Sequence, residues 1–112
     1  MRRVVALVVV FSAAAAGTAF AAVAARPALR VVEASPLVVR GTGFHARERT
    51  RVTLYAEQTK TEVVTATAAG TFRVSFGDVP LSRCDGFRIV AVGRAGSRAR
   101  LVRPPLPECN PN

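Results

Sequence analysis

Two alternating runs that meet at a glycine corner constrain this chain more than any other feature. Leu37-Val38-Val39-Arg40 enters, Gly41-Thr42-Gly43-Phe44 turns, and Arg51-Val52-Thr53-Leu54-Tyr55-Ala56 leaves with Val52 and Leu54 on one side. β-Branched residues at a period of two favour a half-buried strand, and glycine supplies the positive φ that a tight corner needs. The same grammar runs through the rest of the chain. Leu29 to Glu33 reads as a first strand closed by Ser35-Pro36, and Thr61 to Ala68 reads as a fourth, its Thr and Val content outweighing its alanines. Thr71 to Phe76 alternates most cleanly, with Phe72, Val74 and Phe76 inward and Arg73 and Ser75 outward. Gly77 to Gly86 is a longer connection, of the kind that crosses between sheets. Phe87 to Val92 resumes with Phe87, Ile89 and Ala91 inward, and Gly93-Arg94-Ala95-Gly96 turns it into Ser97 to Val102. Seven short strands with glycine turns and no helical period predict an all-β, immunoglobulin-like antiparallel two-sheet sandwich, with an open barrel as the alternative.

A different kind of segment precedes these strands. Met1-Arg2-Arg3 is a basic start, Val4 to Ala16 is apolar apart from Ser12, and Ala19-Phe20-Ala21 ends on small residues. These are the parts of a secretory signal peptide. The expected division is a helical signal peptide over 1–21, with cleavage as late as 25, then an N-terminal spacer and first strand over 22–35. A sandwich core over 36–103 and a proline-rich tail over 104–112 follow. The product is expected to be secreted or extracytoplasmic and monomeric, with no stable membrane span after cleavage. The alternative is a chain anchored by an uncleaved N-terminal helix, because Val4 to Ala25 is uncharged and long enough to cross a bilayer. Export also bears on Cys84 and Cys109, for which a disulfide is expected in an oxidising compartment, tying the tail to the sheet-crossing loop. Neither cysteine has C-x-x-C spacing, and two cysteines with one histidine fall short of a four-ligand zinc site.

Charge narrows the choice of partner. The chain carries a net +9, and all but one of its 16 basic residues are arginine. Loss of Arg2 and Arg3 with a leader leaves 14 basic against seven acidic residues, a net of +7. That balance favours anionic partners. With inward positions assigned as above, Arg51, Arg88, Arg98 and Arg100 project outward from the third, sixth and seventh strands, which share one sheet in an immunoglobulin-like sandwich. These four form a candidate anionic-surface site, whose partner is an unknown protein or an anionic envelope polymer. The competing reading is that arginine is simply the solvating residue of this chain, as the scattered Arg26, Arg30, Arg40, Arg73, Arg94 and Arg103 suggest. Sequence-specific nucleic-acid reading is disfavoured, since no helix is available for a groove and aromatic residues are sparse.

Catalysis finds little support. His45 is the only histidine and has no spaced Ser and Asp companions. Asp78 and Asp85 are too few for a calcium cage, and Gly41-Thr42-Gly43 leads into a strand rather than the helix N-terminus of a phosphate loop. No catalytic residue, metal or cofactor is expected, and the chain is read as a non-enzyme.

Four motifs in order carry a resemblance: Val39-Arg40-Gly41-Thr42-Gly43-Phe44, Val52-Thr53-Leu54, Ala68-Ala69-Gly70-Thr71-Phe72 and Ala91-Val92-Gly93. Over roughly Pro36 to Val102 they resemble small bacterial immunoglobulin-like domains of the IPT/TIG type. That resemblance implies a spacer or binding module rather than an enzyme. The family usually has Pro-Gly-Glu after the corner, where this chain has Ala46-Arg47-Glu48, so an arginine stands in place of a glycine. A fainter similarity is to the secreted immunoglobulin-like apoproteins that carry enediyne chromophores, which are typically acidic and hold two disulfides. It supplies the alternative function, a small-molecule carrier with an apolar cleft between loops.

Overall fold

Alternation becomes packing in the computed structural model, which describes residues 26–82 and 84–109. The expected signal peptide over 1–21, its later cleavage limit at 25 and the last residues of the tail lie outside the described residues. Seven strands follow in order: β1 Ala28–Ala34, β2 Leu37–Thr42, β3 Arg49–Tyr55, β4 Thr59–Thr65, β5 Phe72–Gly77, β6 Phe87–Gly93 and β7 Arg98–Arg103. They form two antiparallel sheets, β1-β2-β5 and β4-β3-β6-β7. The fold is thus an all-β, two-sheet sandwich, in which the fourth strand joins the sheet of the third, sixth and seventh.

The core lies between the sheets and follows the alternation. Leu37 and Val39 of β2 and Phe72, Val74 and Phe76 of β5 meet Val52 and Leu54 of β3 and Ile89 and Ala91 of β6, all buried. Burying a Leu, Ile or Phe side chain contributes on the order of 1.5 to 3 kcal/mol each, which makes these positions the main source of stability. Phe44 enters from the corner and packs on Phe72, ring centroids 4.8 Å apart and tilted by 60°.

Several boundaries differ from the sequence expectation, each for a local reason. Gly41 belongs to β2 and does not turn; it is small because the Phe72 ring lies where its Cβ would stand. Gly43 alone makes the turn, with φ 77°. β3 starts at Arg49 rather than Arg51. β4 starts at Thr59 and ends at Thr65, short of Ala68, because the Glu48 amide turns back to the His45 carbonyl at 3.2 Å and the Thr67 amide donates to the Thr71 carbonyl at 2.8 Å. The tail is not wholly extended, since Pro107–Cys109 forms a 3-10 turn. Cys84 and Cys109 are bonded, Cα atoms 5.1 Å apart, and hold that turn against the β5–β6 crossing.

Glu48 has a structural role that its neighbours in sequence do not reveal. It is 4% exposed. Its Oε1 accepts from the His45 amide at 3.1 Å, and its Oε2 accepts from the amides of Ala95 at 2.7 Å and Ser97 at 3.3 Å. One side chain therefore ties the β2–β3 corner to the β6–β7 turn. Gly93 is bare because a Cβ there would overlap the Glu48 carboxylate. Burial pushes the Glu48 carboxyl up, but the Ser97 hydroxyl and the amides of His45, Ser97 and Ala95 together pull it below its ordinary value.

A carboxyl depressed by folding stabilises the protein above its unfolded pKa, and that contribution is lost as pH falls through the folded value. Glu48→Gln should cost about 2 to 3 kcal/mol near neutral pH, by urea unfolding, because donors are left unmatched. The difference should shrink as pH drops below roughly 4.3; a constant difference across that range would count against the clasp.

Arg47 sits at φ 58°, the left-handed region, at the position where the resembled family has glycine. An L-residue there carries a penalty of about 1 to 2 kcal/mol, offset in part by the greater unfolded freedom of glycine. Arg47→Gly should therefore raise stability by about 0.5 to 1 kcal/mol, while Arg47→Val should lower it, both read from thermal midpoints. Loss of the disulfide in Cys84→Ser/Cys109→Ser should cost about 3 to 4 kcal/mol by loop closure, measurable as a lower urea midpoint.

Candidate functional site

Outward positions of the four-stranded sheet form one exposed grid. β3 contributes Arg49, Arg51, Thr53 and Tyr55, and because directly paired residues point to the same side, the register places the other strands on it. One row reads Val63, Arg51, Val92, Arg98 across β4, β3, β6 and β7. The next reads Thr61, Thr53, Val90, Arg100, and the third Thr59, Tyr55, Arg88, Val102. Arg51, Arg88, Arg98 and Arg100 are thus brought to one face and all are exposed.

The four do not cluster equally. Arg51 and Arg98 flank Val92 in one row, and Arg100 follows Arg98 along β7. Arg88 lies at the far end with its guanidinium carbon 4.5 Å from the Tyr55 ring centroid, a cation–π pair between directly registered neighbours. Two further arginines join them. Arg49 continues the alternation of β3, and Arg94 follows β6, its amide donating to the Arg49 carbonyl at 2.8 Å. Arg49 lies two residues before the expected start of β3 and on the same period as Arg51, so alternation alone places it on this face. Arg94 is placed by the hairpin, and no local pattern announces it.

No carboxylate occupies this grid. The acidic residue of β4, Glu62, is registered with Val52 and so has the opposite parity. Among the described residues the one ion pair, Arg73 with Glu33, lies on the other sheet.

The face is not flat. The short Thr53 lies between the longer Arg51 and Tyr55, with Val90 beside it on β6, and an open trough of about 840 Å³ runs along β3. Arg49, Arg51 and Arg94 line one end, and Thr53, Tyr55 and Thr61 line the other. The hydroxyls of Thr53 and Thr61 are 3.2 Å apart. The trough is therefore cationic at one end and rich in hydroxyls at the other. A smaller hollow of about 540 Å³, edged by His45, Ala69, Gly96 and Arg98, lies at the corner end of the sandwich.

Other sequence candidates stay apart from this face. His45 is exposed at the corner, and its structural role is its backbone amide. Asp78 and Asp85 are exposed in the β5–β6 connection, and among the described residues no group of three His, Cys, Asp or Glu gathers to hold a metal. Compared with models of known protein families the chain matches none, and no curated protein matches it either.

Proposed function

We propose that this chain is a secreted, non-enzymatic binding module that holds an acidic glycopolymer, sugar or polyol units bearing carboxylate or phosphate, on the outer face of its four-stranded sheet. One observation carries the reading: every outward position of that sheet is Arg, Thr, Val, or Tyr, and none is acidic. Guanidinium groups bind carboxylate and phosphate through a planar fork of donors. Threonine hydroxyls both donate and accept, which suits the hydroxyls of a sugar or polyol. The basic, apolar, small-residue order of residues 1–21 supports export to a compartment where such polymers occur.

Other anionic partners fit less well. β3 and β6 are paired on both sides, so a peptide lying in the trough would find no free backbone edge to extend. A single-stranded nucleic acid needs successive stacking platforms, whereas this face has one aromatic ring, Tyr55, already under Arg88. The IPT/TIG-like motifs agree with a binding role, although fold alone does not fix one.

Retention on immobilised polygalacturonate and on bacterial wall fractions should fall steeply as salt rises. Replacing Arg51, Arg88, Arg98 and Arg100 together by Ser should weaken it about ten- to a thousandfold, taking a few tenths to 1 kcal/mol for each of the four exposed contacts. Unchanged retention in a variant with an intact thermal transition would remove the face from consideration.

A further inference from the structure

The second sheet carries a basic row of its own. Arg30 is registered with Arg40, and Arg40 with Arg73. Three consecutive strands thus place an arginine at one level of the outward face, and all three are exposed. Neighbouring strands lie about 4.8 Å apart, so the row spans about 10 Å at its base. Like charges directly opposite each other work against strand pairing, which makes this register informative.

Only one carboxylate answers the row among the described residues. A register shift between Val31 and Glu33 sets Glu33 opposite Val38, on the outward side, and its Oε1 accepts from Arg73 Nη2 at 3.4 Å. Both side chains are more than half exposed, at 51% and 64%, so the pair is screened by water. Arg30 and Arg40 have no ion-pair partner among the described residues.

We infer that this row is a second seat for the acidic glycopolymer, so that one molecule bridges two polymer segments, one on each outer face. The inference rests on the glycopolymer reading of the four-stranded face. A chain crossing the strands meets all three guanidinium groups in turn, whereas a small anion reaches two at most. A protein partner fits poorly, because of the exposed large apolar residues only Val32 belongs to this sheet, and no aromatic side chain stands on its outer face. The two faces point away from each other across the sandwich, so a short segment on one cannot also occupy the other. Occupation of both makes a cross-link, and valency then raises retention on a dense polymer beyond either face alone.

Calorimetric titration with short oligogalacturonate, and light scattering with long polygalacturonate, test this on the folded, oxidised protein. Two variants are compared, Arg30→Ser/Arg40→Ser/Arg73→Ser and Arg51→Ser/Arg98→Ser/Arg100→Ser, with Arg40→Ser alone as the milder form of the first. Wild type should bind two oligomers per molecule and turn the long polymer turbid. The first variant should bind one oligomer and lose turbidity, with affinity at the remaining site within about threefold of wild type. A single bound oligomer in wild type, lost in the second variant, overturns the bridge and leaves the four-stranded face standing. Two oligomers bound by the first variant also overturn it. Binding abolished by the first variant alone removes both the bridge and the proposed face, as does absence of binding in wild type. Equal two-site binding of polyglutamate overturns the glycopolymer as occupant.

Discussion

The carboxylate of Glu48 holds together the parts on which the rest of the structure depends. A buried charge is tolerated only when hydrogen bonds replace its lost water, and here three backbone amides do so. The arginines on either side of it in sequence, Arg47 and Arg49, both remain exposed. Glu48 therefore neutralises no surface cation; it fixes the corner between the sheets to the turn between β6 and β7. That fixation sets where β3 stands relative to the β6–β7 hairpin, and hence the spacing of Arg49, Arg51, Arg94 and Arg98. Gly93 follows from the same contact, since the carboxylate fills the place of a side chain.

The distribution of acid explains why the faces remain basic. Glu48 is buried in the corner, Glu57 is in the β3–β4 turn, and Glu62 has inward parity on an edge strand. Asp78 and Asp85 lie in the β5–β6 connection and Glu108 in the tail, which leaves Glu33 as the one acidic residue on an outward sheet face. Positive charge is thus concentrated on two broad surfaces while negative charge, Glu33 apart, is confined to rims and corners. Such segregation strengthens the field in front of each face more than the same net charge spread evenly would.

Much of this fold was legible in the residues, and the reasons are local. Phe72, Val74 and Phe76 fall inward because strand side chains alternate, and no tertiary knowledge is needed to see it. The outward set Arg51, Arg88, Arg98 and Arg100 follows from the same parity. Gly41 differs from the turn expected of it because a glycine needed for room beside Phe72 looks, in sequence, like one needed for positive φ. The alanines at Ala66 and Ala68 gave no hint that corner amides and carbonyls would end β4 at Thr65. Glu48 looked like one charge among several, because nothing in its neighbours reveals that distant amides at Ala95 and Ser97 converge on it. Arg30, Arg40 and Arg73 read as scattered for the same reason.

Sequence by itself determined the strand count, the inward residues, the cysteine pair and which arginines face out, since period-two alternation and turn chemistry act within a few residues. Tertiary structure decided which strands lie side by side, and register then turned separate arginines into rows and a trough. Pairing partners are set by long-range packing of Phe44, Phe72 and Leu54 and by the Glu48 clasp, across separations of up to 49 residues. A pattern confined to neighbours carries no information at that distance, which is why parity could be read from the residues, whereas the shared sheet of the third, sixth and seventh strands followed only from the expected architecture and their register from neither.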